Sequence, residues 1–102
     1  MIDLPPEHLE RVRAILREHV PEAQVWAFGS RVNGTARPHS DLDLVVVADA
    51  ELPRRAYYRL LDAFEESDLP IRVDVLDWYR IDAEFQAIIR RRHVLIVPAT
   101  AS

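Results

Sequence analysis

Two aspartates one residue apart, Asp41 and Asp43, stand at the mouth of an apolar run, Leu44-Val45-Val46-Val47. On an extended strand they project from one face, while Leu42 and Leu44 project from the other. Carboxylates placed side by side repel, and at least one resists ionising unless a cation sits between them. An oxygen-only set of this kind suits a hard ion such as magnesium, which keeps several waters and fills its shell from substrate phosphates. Upstream, the apolar run Val25-Trp26-Ala27-Phe28 breaks at Gly29-Ser30. Such a turn presents backbone N–H groups, and a short helix opening just after it adds its positive end, which together make a cradle for phosphate. The chain has two glycines, Gly29 and Gly34, both within this stretch. Average usage would give about seven in a chain of this length. Their confinement here implies backbone shapes that a side chain would block.

These groups need elements to hold them. Pro5-Pro6 opens a helix, since a first turn tolerates proline; Leu9, Val12, Ile15, Leu16 and Val20 recur at helical spacing, and Pro21 ends it. Gln24 to Phe28 reads as the first strand, apolar enough to be central. Arg31 to Gly34 forms a short helical piece, Thr35 to Ser40 a loop fixed by Pro38, and Asp41 to Ala48 the second strand. Pro53 to about Glu66 reads as a second long helix, with Ala56, Leu60, Ala63 and Phe64 on one face, widened by Tyr57 and Leu61. Ile71 to Val75 alternates as a half-buried third strand. Ile71, Val73 and Val75 then face the core, and Arg72 and Asp74 the other way. If this strand lies beside the second, Asp74 joins Asp41 and Asp43 on one sheet face. Asp77 competes for that position, but it falls at the strand end before Trp78, where it starts a turn. Ile81, Phe85, Ile88 and Ile89 mark a third long helix, with acids in its first turn and Arg90-Arg91-Arg92 at its end, as the helix dipole favours. Val94 to Val97 is a short last strand and Pro98 to Ser102 a frayed tail.

Composition narrows the chemistry. The 102 residues suit one domain, and 49% hydrophobic with 29% charged residues is ordinary for a soluble globular chain. No apolar run approaches the roughly 20 residues that cross a bilayer, and the acidic, proline-bearing start is unlike a signal peptide; the expectation is a cytoplasmic protein without membrane contact. There is no cysteine, so no thiol nucleophile or thiolate metal site. All thirteen basic residues are arginine, which excludes a Walker A lysine and Schiff-base chemistry. The four histidines are too scattered to suggest a metal site. A net charge of -4 argues against a grip on long nucleic acid.

The compound motif, Gly29-Ser30-Arg31-x-x-Gly34 followed by Arg37-Pro38-x-Ser40-Asp41-Leu42-Asp43-Leu44, resembles the signature of the DNA polymerase beta-like nucleotidyltransferase superfamily. It is most similar to the minimal nucleotidyltransferase branch, and the resemblance spans nearly the whole chain. It implies an α/β (α+β) fold: a small mixed sheet of about four strands with helices packed mainly on one face. It implies that ATP lies with its phosphates against Gly29 and Ser30, and that two magnesium ions are held by Asp41, Asp43 and Asp74, with Asp74 as the third carboxylate. In that branch the small transferase is the antitoxin of a helical HEPN-type toxin, and adds AMP to a tyrosine hydroxyl of that partner.

Two other readings stay open at this stage. One is a binding antitoxin or interaction module that does not use its site; the clustering of like charges argues against it, since a scaffold has no need of that cost. The other is nucleotidyl transfer to a small hydroxylated substrate, against which stands the lack of an acceptor-binding domain. Around the site, Ser30 contacts phosphate or caps the short helix. Arg37 has a guanidinium fork suited to phosphate; as the alternative, it is a solvated loop residue. Arg31, His39 and the Arg90–Arg92 run are left without an assigned role.

Overall fold

The computed structural model describes residues 2–99. The expected tail falls outside the described residues beyond position 99. Helix α1 spans Pro6–His19, with Pro at its first position and Val12 and Leu16 fully buried. Strand β1, Gln24–Phe28, has the expected bounds. The short α2 is Ser30–Asn33, strand β2 Leu42–Val47 and helix α3 Arg54–Glu65. Strand β3, Val73–Asp77, runs into a single 3-10 turn at Trp78–Arg80. Helix α4, Ala83–Arg91, and strand β4, Val94–Val97, follow. No helix among the described residues is long and apolar enough to cross a membrane.

The four strands form one mixed sheet in the order β3-β2-β1-β4. β1 is antiparallel to β2 and β4, while β3 is parallel to β2. β1 and β2 are therefore interior, as their apolar content requires. Period-two alternation along them makes two unlike faces. Leu42, Leu44 and Val46 of β2 and Val25 and Ala27 of β1 are wholly buried against Val12 and Leu16 of α1 and Leu60 and Phe64 of α3. Each such leucine or valine contributes about 1.5–3 kcal/mol of transfer free energy. On the reverse face, Val45, Trp78 and Ile89 form a smaller core with Trp26, Phe28, Val47, Leu76 and Phe85 around it.

Three details differ from the sequence reading. The third strand begins and ends two residues later than Ile71–Val75. Its only neighbour, β2, starts pairing at Leu42 with Val73 and is still paired at Val46 with Asp77, so Ile71 has no partner strand while Leu76 and Asp77 do. The third long helix does not join the other two: α1 and α3 share one face, and α4 lies on the reverse face, carried there by the turn after Asp77. Of its apolar residues Ile89 is buried and Phe85 half-buried, but Ile88 is exposed because the small core beneath α4 has room for only a narrow stripe.

Candidate active site

The reverse face is where the acids converge. β2 and β3 run in register with Asp43 directly beside Asp74, so the two carboxylates leave adjacent strands on the same side of the sheet. Asp41 lies just before β2 rather than within it, and its charge is still felt at Asp43. Burial pushes the Asp43 carboxyl above its ordinary range, and the neighbouring charges of Asp74 and then Asp41 push it further. Asp74 is also held by Arg72, whose Nε lies 3.0 Å from its Oδ1; both side chains are substantially exposed, so this pair orients the carboxylate more than it stabilises the fold. Arg72 thus partners Asp74 while staying largely exposed to solvent.

Opposite Asp43 stands the glycine turn. Phe28 pairs with Asp43 across the β1–β2 ladder, which brings Gly29 against the acid. Gly29 has φ 81 and ψ -154, a conformation open to glycine and costly for other residues. A Cβ built there would lie 2.5 Å from Asp43 Oδ2. Glycine is therefore demanded twice, by the backbone and by the carboxylate. Gly34, at φ 80, ends α2 in the left-handed conformation and donates its N–H to the Ser30 carbonyl; no atom crowds it, so the backbone shape alone explains it. Gly29 is the residue flanking the start of α2, and no side chain caps that helix, so the Ser30 hydroxyl is not spent on the capping role considered from sequence.

Asp77, the other β3 acid, lies elsewhere. It lies three residues beyond Asp74, on the other face, and is only 2% exposed. Its Oδ2 accepts from the Leu52 N–H at 2.8 Å and its Oδ1 from the Tyr79 N–H at 3.0 Å. It is a structural acceptor that starts the turn, as its position before Trp78 suggested. Arg37 is not brought to the carboxylates. It sits on the exposed loop 35–40 and lines a separate cleft of about 380 Å³ with Asp3, His8 and Pro70.

Asp43 and Asp74 form part of the wall of a larger groove of about 1020 Å³ along the β3 edge, with Phe28, Leu76 and Phe85 beside them. Phe28 and Phe85 meet edge to face at 5.8 Å. These apolar walls were not singled out in the sequence; the aromatic at the end of β1 and the one at the start of α4 become neighbours only because α4 crosses to this face. Among the described residues, no three histidine, cysteine or acidic side chains close by themselves on a common point. Asp43 and Asp74 are grouped side by side and open to the groove.

The open acid pair thus faces the glycine turn on a four-stranded mixed sheet. The nucleotidyltransferase domain family matches residues 9–97, and the chain belongs to it. Among curated proteins it is 48% identical over 95 residues, covering 93% of this chain and 83% of the other, to a Haemophilus influenzae protein named "Probable protein adenylyltransferase MntA". Among solved structures it matches a chain of a toxin–antitoxin crystal structure with AMP-PNP at TM-score 0.74 and 24% identity, covering 90% of this chain and 73% of that one. It also matches a chain of the complex of a tri-AMPylated Shewanella oneidensis HEPN toxin with its MNT antitoxin, at TM-score 0.68 and 19% identity, covering 92% and 71%. At these identities the two structures speak for the fold.

Proposed function

We propose that this chain is a protein adenylyltransferase that acts as antitoxin to a HEPN-type toxin, moving AMP from ATP to a tyrosine hydroxyl of that partner in the cytoplasm. The observation that carries the reading is the register pairing of Asp43 with Asp74 opposite Gly29, in a chain 48% identical to a protein named as a probable protein adenylyltransferase. The whole chain works as one transferase unit.

In this reading Gly29 and Ser30 receive the triphosphate. Gly29 lets the chain turn without a side chain between phosphate and Asp43, and the Ser30 hydroxyl donates to a phosphate oxygen. Arg37, which lines the separate cleft, adds only positive charge at longer range from the exposed loop. Asp41, Asp43 and Asp74 offer the oxygen-only donors that magnesium takes. Burial first, and then the charges of Asp74 and Asp41, raise the affinity of Asp43 for a proton, and a bound cation would offset the charge part of that effect. When bound, two magnesium ions supply charge stabilisation for the attacking and leaving oxygens. The chain's own residues do the positioning, which is most of what phosphoryl chemistry asks of a protein. The acceptor oxygen forms a bond to the α-phosphorus. The bond from that phosphorus to the bridging oxygen of pyrophosphate breaks. The acceptor's proton passes to Asp74, on the side of the site away from Gly29.

The test is intact mass spectrometry of the HEPN-type protein co-expressed with this chain, after incubation with ATP and magnesium. Added AMP on a tyrosine of the partner is the expected result. An unmodified partner that is nonetheless silenced equally well by an Asp41→Ala, Asp43→Ala double variant would show a binding antitoxin instead.

A further inference from the structure

Arg31 is 5% exposed, and among the described residues no carboxylate lies within ion-pair range of it. A buried cation without a counter-ion is costly unless its donors are satisfied. Here backbone carbonyls satisfy them. Nε donates to the Ser40 carbonyl at 3.0 Å; Nη2 donates to the carbonyls of Ser40, Pro38 and Arg37 at 2.9, 3.2 and 3.4 Å; Nη1 donates to the Asp3 carbonyl at 2.7 Å. Of the five N–H groups of a guanidinium, only one on Nη1 is left over, on a side chain with almost no access to solvent. The Asp3 N–H returns a bond of 2.7 Å to the Arg31 carbonyl.

The acceptors are what matter. Arg31 follows Ser30 directly, and Ser40 precedes Asp41 directly. One side chain therefore ties the residue beside the phosphate turn to the residue beside the first acid. The loop between them has three other hydrogen bonds of its own: Thr35 N–H to the Ser30 carbonyl at 3.2 Å at its start, Ser40 N–H to the Arg37 carbonyl at 3.0 Å, and Arg37 N–H to Ser40 Oγ at 2.8 Å; none of these joins the Ser30 end to the Ser40 end. Thr35, Arg37, Pro38 and His39 are exposed. We propose that Arg31 is the positioning residue of this site, a clamp that sets the spacing between the Gly29–Ser30 turn and the Asp41 and Asp43 carboxylates without touching phosphate itself. A lysine keeps the charge but cannot reach four carbonyls from a single point donor. The kinetic part of the proposal rests on the transferase reading above; the structural part does not.

The test compares Arg31→Met and Arg31→Lys with the unaltered chain, by hydrogen exchange of the 35–42 segment and by steady-state transfer to the partner. Both variants are expected to lose amide protection in that segment while α1, α3 and β1 keep theirs. Both should lose about 100-fold in kcat, the scale of a small misplacement of reacting groups, with the KM for ATP changed less than about threefold. Lysine restoring the activity, or methionine raising the KM for ATP at unchanged kcat, would make Arg31 a phosphate ligand and overturn the clamp. Unchanged protection of 35–42 would overturn it as well. Should the Arg31 variants not fold, Pro38→Gly loosens the same loop with the guanidinium intact; it should lower kcat about 10-fold, and full activity there would contradict the proposal. If the unaltered chain transfers no nucleotide, the function reading fails, and hydrogen exchange still decides the clamp.

Discussion

The two faces of the sheet are made by the same strands and do opposite work. On the α1–α3 face, β2 presents Leu42, Leu44 and Val46, none with any exposed surface. On the α4 face it presents Asp43, Val45 and Val47, and α4 with its small aromatic core leaves the Asp43 end uncovered. A shift of one residue in register would exchange the two sets. The difference teaches that the buried core and the proposed site are separated here by the period of a strand, not by distance along the chain.

Changes to the open end should break function while sparing the fold, and changes to the closed face should do the reverse. The largest effect is expected from Asp43→Asn, which should lower transfer by about 10³-fold and leave the metal-free melting temperature unchanged or higher. A strong destabilisation measured without magnesium would count against the clustering. Next, Leu44→Ala should cost about 2–5 kcal/mol in urea unfolding, with the activity per folded molecule nearly normal. Gly29→Ala sits at the junction of the two effects: a strained φ of 81 and a Cβ against Asp43 Oδ2. It should cost about 1–3 kcal/mol of stability and also depress transfer, because the side chain pushes at the carboxylate.

The smallest effect is electrostatic. The Asp43 carboxyl holds its proton more tightly in the folded chain than in the unfolded one. The folded state therefore binds more protons between the two pKa values, and stability falls as pH rises through that window. The full benefit exists below the unfolded value of about 3.9, and it is gone once pH passes the raised folded value. Metal-free melts of the unaltered chain and of Asp43→Asn should therefore differ by a contribution that grows in the variant's favour across that range. A difference independent of pH would mean that Asp43 carries no such strain.

Much of this was legible in the residues. An apolar run and its flanking breakers bounded β1 at Gln24–Phe28 to the residue, and alternation along β3 separated Asp74 from Asp77 by face. The two glycines marked the two positive φ angles. What escaped depended on contacts between distant segments. The start of β3 depends on where β2 begins, not on the pattern from Ile71. The side on which α4 packs depends on a turn whose direction is fixed by Asp77 accepting from Leu52 and Tyr79. Arg31 could not be read because its partners are main-chain carbonyls, which every residue has and no sequence distinguishes.

The most direct test sets two acids of one strand against each other. Asp74→Asn and Asp77→Asn are the same chemical change three residues apart on opposite faces of β3. Transfer of AMP, measured per folded molecule, should collapse for Asp74→Asn with little loss of stability, and persist for Asp77→Asn despite a lower melting temperature. Activity retained without the Asp74 carboxylate, or lost only when that of Asp77 is removed, would contradict the placement of the site on the open face.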